Sequence, residues 1–295
     1  MRSLAQFSPG EWLALLPLRQ GLRQWRNDLL LAHYKKAQAP GLPDFLARIA
    51  HLKGRDVVIV IAFEQPWALD WLLEMAAKNL PGVTLLVFDN SRSDEAREKI
   101  AAVCATHHAP YLGLPRYRTR HANRSHGVAM SWVHENVVRP LAPRTFGFID
   151  HDLIPVRSLD FPGRLQDQTL FGMINTGNFG HWNLWAGYCI YRHDATQPHE
   201  LNFLYDFSRG LDTGGRNWVP LYSRQPREQL RFASQEFVEI RLDAQTAARV
   251  EIVDGAWVHI GGIGYDDNFK NKIGFFSRLR AELAAGRRWD DLRGG

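Results

Sequence analysis

Apolar positions Trp12, Leu15, Leu16, Leu18, Leu22, Trp25, Leu29 and Leu30 recur near the helical period, which predicts an amphipathic extension over residues 1–52. Pro40 and Pro43 punctuate it, and Pro43-Asp44 opens a second short helical pattern through Ile49. Such a stripe suits an arm docked on a core, with an interfacial membrane helix as the alternative. After Lys53-Gly54-Arg55 the period changes. Val57 to Ala62 is an unbroken, largely β-branched apolar run, the pattern of a strand buried on both faces of a parallel sheet. The pattern then predicts a helix over Trp67 to Asn79, a buried strand over Thr84 to Phe88 and a helix over Asp94 to His107. A further helix over His126 to Val138 leads to a short strand over Thr145 to Ile149.

This alternation means βαβ units, and hence an α/β domain with a central, mostly parallel sheet flanked by helices. Three of its strands run into polar residues: Phe63-Glu64, Asp89-Asn90-Ser91 and Asp150-His151-Asp152. Open sheets bind ligands beyond the carboxyl ends of their strands, so these three ends should converge on one crevice. Residues 53–160 thus read as a ligand-binding half. From Phe171 to Tyr191 the chain turns aromatic and rich in Gly and Asn, which marks a second half, 161–274, shaping the site of another substrate. Residues 275–295 close the sequence with a basic amphipathic helix from Phe275 to Leu292.

Composition narrows the class without changing that picture. With 45% hydrophobic and 23% charged residues over 295 positions, the chain can bury a full core and has no disordered linker. Cys104 and Cys189 lie far apart, outside any zinc or disulfide framework, which fits a reducing, cytoplasmic setting. No apolar run reaches the length of a membrane span, and the N-terminus lacks the order of a signal peptide. The formal charge is +5, with basic residues gathered at both ends: Arg19, Arg23, Arg26, Lys35 and Lys36, then Arg278, Arg280, Arg287, Arg288 and Arg293. These are either solvated helix faces or seats for phosphate-rich partners, including peripheral contact with the anionic inner face of a membrane. Nucleic acid is not expected, because no basic run is interleaved with aromatics.

The chemistry centres on Asp150 and Asp152. In extended chain, residues i and i+2 point the same way, so the two carboxylates face one point at the ligand edge of the sheet. Mn²⁺ or Mg²⁺ takes about six mostly oxygen ligands, several of them from substrate phosphates, so two or three protein groups suffice. His259, within Trp257-Val258-His259-Ile260-Gly261-Gly262, is the candidate third ligand, and an imidazole favours Mn²⁺.

The order of these segments resembles family two glycosyltransferases. The resemblance runs from Asp56 to Asp160: a βαβ start, a strand ending in Asp89-Asn90-Ser91, an Asn123 to Gly127 segment opening a helix, and a strand ending in the D-x-D triplet. It implies a GT-A (nucleotide-diphospho-sugar transferase) fold, a nucleotide-sugar donor with UDP as the default, and a saccharide or glycolipid acceptor. By position, Asp89 contacts the base, Asn123 and Gly127 line the donor alongside Phe63, Glu64 and Asn90, and Asp150 with Asp152 binds the metal. The His259 segment is similar to the late His-x-x-Gly of other GT-A enzymes, but the phosphate-binding Lys expected three residues further is Tyr265 here, which leaves Lys270 and Lys272 as substitutes. Trp182, Trp185, Gly187 and Tyr188 resemble the acceptor wall, with core packing the alternative for each aromatic.

Transfer with inversion also needs a carboxylate base. Asp212, in Leu211-Asp212-Thr213-Gly214-Gly215, is the candidate, with Asp206, Glu200 and Glu236 as competitors. Two other classes remain: a nucleotidyltransferase, disfavoured because Phe63-Glu64-Gln65-Pro66 is a poor triphosphate loop, and an inactive carbohydrate-binding relative.

Overall fold

The protein is described by a computed structural model covering residues 17–117, 119, 121–262 and 268–293, with the side chains of 17–19, 122 and 268–271 left aside. Trp12, Leu15, Leu16 and Tyr265 therefore lie outside the described residues, as does the side chain of Lys270.

A six-stranded sheet forms the centre. β1 (Asp56–Ala62) pairs in parallel with β2 (Thr84–Asp89), and β2 with β3 (Tyr111–Gly113). On its other side β1 pairs in parallel with β4 (Thr145–Asp150). A short strand, β5 (Leu153–Pro155), follows two residues later and belongs to another sheet. β6 (Leu170–Thr176) and β7 (Trp182–Arg192) form an antiparallel hairpin, and β7 lies antiparallel to β4, giving the order β3-β2-β1-β4-β7-β6. The expected mostly parallel centre is present, with an antiparallel edge in the stretch where alternation fails.

The unbroken apolar run of β1 is explained by its two covered faces. Val58, Val60 and Ala62 enter one core, while Val57, Ile59 and Ile61 enter the other. The first core is closed by helix Pro66–Asn79, through Trp71 and Leu72, and by the second sheet. That sheet is antiparallel, in the order β5-β10-β9-β8, with β8 at Gln235–Arg241, β9 at Ala247–Val253 and β10 at Trp257–His259. The second core is closed by helix Ala122–Val133, whose Trp132 is fully buried, and by the N-terminal helices.

Those N-terminal helices are α1 (Pro17–Lys35) and α2 (Leu42–Ile49). α1 docks on the core, but by a different face from the one its leucines suggest. Asn27, Leu31 and Tyr34 are buried, whereas Leu22, Trp25, Leu29 and Leu30 are exposed. The polar anchors explain the inversion: Asn27 Nδ2 donates to Tyr205 Oη at 3.1 Å, and Tyr34 Oη donates to the Pro115 carbonyl at 2.6 Å.

At the other end, the expected single helix from Phe275 to Leu292 is instead a helix from Asn268 to Ala284, a break at Gly286 with φ of 89°, and a short turn Trp289–Leu292. All of the arginines here but the exposed Arg288 are paired within the fold, Arg287 with Glu282 at 3.4 Å. Arg280 bridges Asp70 at 2.6 Å and Glu74 at 2.9 Å, Arg278 pairs with Asp243, and Arg293 pairs with Glu236 at 3.1 Å. Among the described residues no helix is long and apolar enough to cross a membrane.

Candidate active site

β1, β2 and β4 run in parallel, so their carboxyl ends open into one cleft. It is lined by Phe63, Asn90, Arg92, Asn123, Ser125, His126, Asp150, His151, Asp152, Trp185, Gly187, Asp212, Thr213 and His259, and it encloses about 970 Å³ including its mouth.

Asp150 is the last residue of β4, and Asp152 sits in the two-residue turn before β5. β5 pairs with β10, with Leu153 opposite His259, which brings the imidazole to the acid pair. Ligand atoms of Asp150, Asp152 and His259 lie within 4.8 Å of one another, the one such cluster among the described residues. His259 Nδ1 meets Glu251 Oε2 at 2.7 Å, and these residues are cross-strand partners in the β9–β10 pair. With Nδ1 donating to that carboxylate, Nε2 faces Asp152 at 3.9 Å, where it could bind an ion once the ion displaces its proton. The loop is braced as well. Gly261 N–H donates to Asp152 Oδ2 at 3.1 Å, and Lys272 Nζ donates to the carbonyls of Ile260 and Gly261 at 3.0 and 2.9 Å.

The electrostatics of this corner call for positive charge. Burial, and then the neighbouring Asp152, push the Asp150 carboxyl up to about 7. Burial alone lowers His259, but Asp152 and Glu251 outweigh it and raise the imidazole to about 9. The neighbouring carboxylate thus disfavours the charge on Asp150, and a divalent ion would relieve that repulsion. Oxygen donors with one imidazole suit Mn²⁺ or Mg²⁺.

A strand irregularity shapes the wall opposite. Between the pairs Gly172–Cys189 and Ile174–Leu184 the register of the β6–β7 hairpin shifts, so β7 spends Trp185 to Tyr188 against Met173 alone. This bulge carries Trp185 and Gly187 into the cleft. A Cβ on Gly187 would stand 2.4 Å from Asp150 Oδ2 and 2.3 Å from the Trp185 ring, so no larger residue fits there. Trp185 in turn packs edge-on to the His259 ring at 4.9 Å. Asp212 lies across the cleft, exposed. Its Oδ1 accepts from Asn123 Nδ2 at 2.5 Å and from Thr213 N–H at 2.8 Å.

Several expected site residues stand elsewhere. Asp89 is fully buried, and its carboxylate accepts from Ser91 N–H at 2.8 Å and Tyr111 Oη at 3.0 Å, so it braces the cleft floor without facing it. Glu64, at φ of 56°, accepts from the N–H groups of Arg92 at 2.6 Å and Ser93 at 3.2 Å, tying two strand-end loops together. Gly127 is a close-packing position, because a Cβ would meet the Phe203 carbonyl oxygen at 2.4 Å. Trp182 packs in the core against Tyr222 and Phe232. Tyr188 is also buried, with its hydroxyl on Asp254 at 2.7 Å. Lys272 holds loop carbonyls and is no free phosphate clamp. Of the rival bases, Asp206 is buried and paired with Arg209, Glu200 pairs with Lys35, and Glu236 pairs with Arg293.

Arg92, His126 and Glu251 escape the sequence reading, Arg92 because it stands just past Asp89-Asn90-Ser91 in a loop without a pattern of its own. His126 sits one helical turn after Asn123 on the same helix face, a spacing visible in the sequence. Its Nε2 is 3.8 Å from Asp150 Oδ1, and burial takes its pKa down to about 4, so the ring is neutral. Glu251 could be found only by knowing the hairpin register that sets it beside His259.

Neither a family profile nor a curated protein sequence matches the chain. Solved structures do overlap it. The galactosyltransferase LgtC, in complex with donor and acceptor sugar analogues, is 16% identical over 48% of this chain and 60% of its own, with a TM-score of 0.37. Mannosyltransferase PcManGT from Pyrobaculum calidifontis, with GDP-Man and Mn²⁺, is 12% identical over 61% of this chain and 53% of its own, with a TM-score of 0.36. Glucosyl-3-phosphoglycerate synthase from Mycobacterium tuberculosis, with Mn²⁺ and UDP-glucose, is 14% identical over 54% of this chain and 63% of its own, with a TM-score of 0.35. In each case the overlap spans less than two thirds of the neighbour's length.

Proposed function

We propose that this chain is a metal-dependent glycosyltransferase of the GT-A type, moving a sugar from a nucleotide-diphosphate donor to a saccharide or glycolipid acceptor. The observation that carries this reading is the convergence of Asp150, Asp152 and His259 at the ligand edge of a largely parallel sheet, beside an open cleft. Asp150, Asp152 and His259 would hold Mn²⁺ or Mg²⁺ together with the donor phosphates. The ion would supply stabilisation of the negative charge that grows on the departing diphosphate.

The remaining work falls to the chain's own groups. Phe63 and Asn90 flank the entrance where the donor's nucleoside would lie, and Arg92 adds a positive charge near its phosphates. Gly187 lets the Trp185 ring and the Asp150 carboxylate pack against the backbone, and Trp185 offers an aromatic face to the sugar's C–H groups. Asp212 is the base for an inverting transfer. Its three described hydrogen bonds, from Asn123 Nδ2, Thr213 N–H and Thr213 Oγ1, all fall on Oδ1, which leaves Oδ2 to take the acceptor's hydroxyl proton. Asn123 fixes the angle of that carboxylate.

A thermal-shift series with nucleoside diphosphates, run with and without Mn²⁺, tests the reading, since a ligand bound only by the folded state raises its melting temperature. UDP or GDP should stabilise the protein only when the metal is present. Equal shifts with and without metal, or none for any nucleotide, would refute the assignment.

A further inference from the structure

The outward face of α1 is out of keeping with the rest of the surface. Leu22, Trp25 and Leu29 are 65%, 62% and 51% exposed, and at 100° per residue they lie within about 60° of arc. Leu31, the centre of the docked face, points the opposite way. α1 is thus apolar on both sides, with only one side used by the fold. Arg23 and Arg26 are exposed beside the outer stripe. The one acid in the helix, Asp28, is turned inward, where it meets Arg216 and Asn202.

We infer that this face seats the protein on an anionic lipid bilayer, with α1 lying in the interface plane. A helix pairing a leucine and tryptophan stripe with flanking arginines buries the stripe among acyl chains while the arginines meet lipid phosphates. Charge favours this occupant over a second copy of the chain. Self-association through the face would set the exposed Arg23 and Arg26 of one α1, with Lys36 just past its end, against those of the other, and the helix's one acid, Asp28, is already engaged by Arg216. Of the arginines at the other terminus, Arg278, Arg280, Arg287 and Arg293 are paired within the fold, which leaves the exposed Arg288 away from any apolar stripe.

The seat also has a defined relation to the cleft. The inner face of α1 is bolted to residues 202–216 through Asn27 to Tyr205 and through Asp28 to Asn202 and Arg216. That same segment carries Asp212, so the bilayer would lie behind the wall on which the acceptor is handled. The docking inference stands independently of the transferase reading.

The full chain should be sedimented with vesicles of phosphatidylcholine alone and of phosphatidylcholine with phosphatidylglycerol. It should pellet with the anionic vesicles only and be released by high salt. Arg23→Gln/Arg26→Gln should weaken that binding by roughly thirtyfold, at about fivefold per arginine. Trp25→Ser/Leu29→Ser should abolish it while the melting temperature and metal-dependent nucleotide shift stay as in the wild type, because both side chains are exposed. Protein that stays in the supernatant with both vesicle types overturns the inference. So does a Trp25→Ser/Leu29→Ser variant that pellets like the wild type, or a wild-type dimer in light scattering that this variant breaks.

Discussion

The two walls of the cleft are built in opposite ways. On one, Asp150, Asp152 and His259 hang from the ends of paired strands, and backbone and side-chain hydrogen bonds brace Asp152 and the His259 loop. On the other, Asp212 lies exposed in a segment of turns between β7 and β8, and its side chain reaches across to a single partner side chain, Asn123. Strand ends fix side chains through a ladder of bonds, whereas a loop carboxylate depends on a few contacts of its own. On the proposed reading, the wall that would hold the metal is ready-made, and the wall carrying the candidate base is the one a bound acceptor could adjust.

This contrast can be broken by substitution. The largest effect is expected from Asp152→Asn, which removes a charged ligand. Metal-dependent turnover of a nucleotide-sugar should fall by roughly 10³-fold or more, and the nucleotide shift seen with Mn²⁺ should vanish with it. Turnover within a few-fold of wild type would make the acid pair structural. Asp212→Asn should lower kcat by about 10²- to 10³-fold, yet leave Mn²⁺-dependent nucleotide affinity intact. If that variant lost nucleotide affinity instead, the two walls would not be separate in function.

The smallest effect concerns pH and sharpens the comparison without any substitution. A carboxyl raised to about 7 gives the folded state a stabilising proton that is lost as pH climbs through that value. An imidazole raised to about 9 contributes stability that is complete below its ordinary pKa near 6.5 and lost as pH rises through about 9. Both signs agree: the metal-free protein should melt at progressively lower temperature from about pH 4, where an unfolded carboxyl titrates, to about pH 9. Mn²⁺ replaces these protons, so its stabilising effect should grow over the same interval. A metal shift that shrinks with rising pH would contradict the assigned ligands.

The metal wall was the more legible of the two. Val57 to Ala62 and Thr145 to Ile149 announce buried strands by their apolar runs, and the acids that follow such runs fall at the ligand edge by topology alone. His259 could be singled out because glycines follow it. β7 defeated the reading. Buried on both faces, it shows no alternation, and its bulge changes which parity faces the cleft, so Trp185 and Gly187 reach it while Trp182 and Tyr188 enter the cores. Nothing local in the sequence encodes that register shift. Asp89 illustrates another limit, because its burial depends on Tyr111, a residue on a strand of three that carries too little pattern to detect.

The chain leaves the first sheet at Asp150 and enters the second at Leu153, and the imidazole returns from that second sheet on β10. An ion held at this corner would act as a rivet between two layers that otherwise meet through their shared apolar core. Hydrogen exchange in β8, the strand of the second sheet farthest from the cleft, should then slow whenever the rivet is in place.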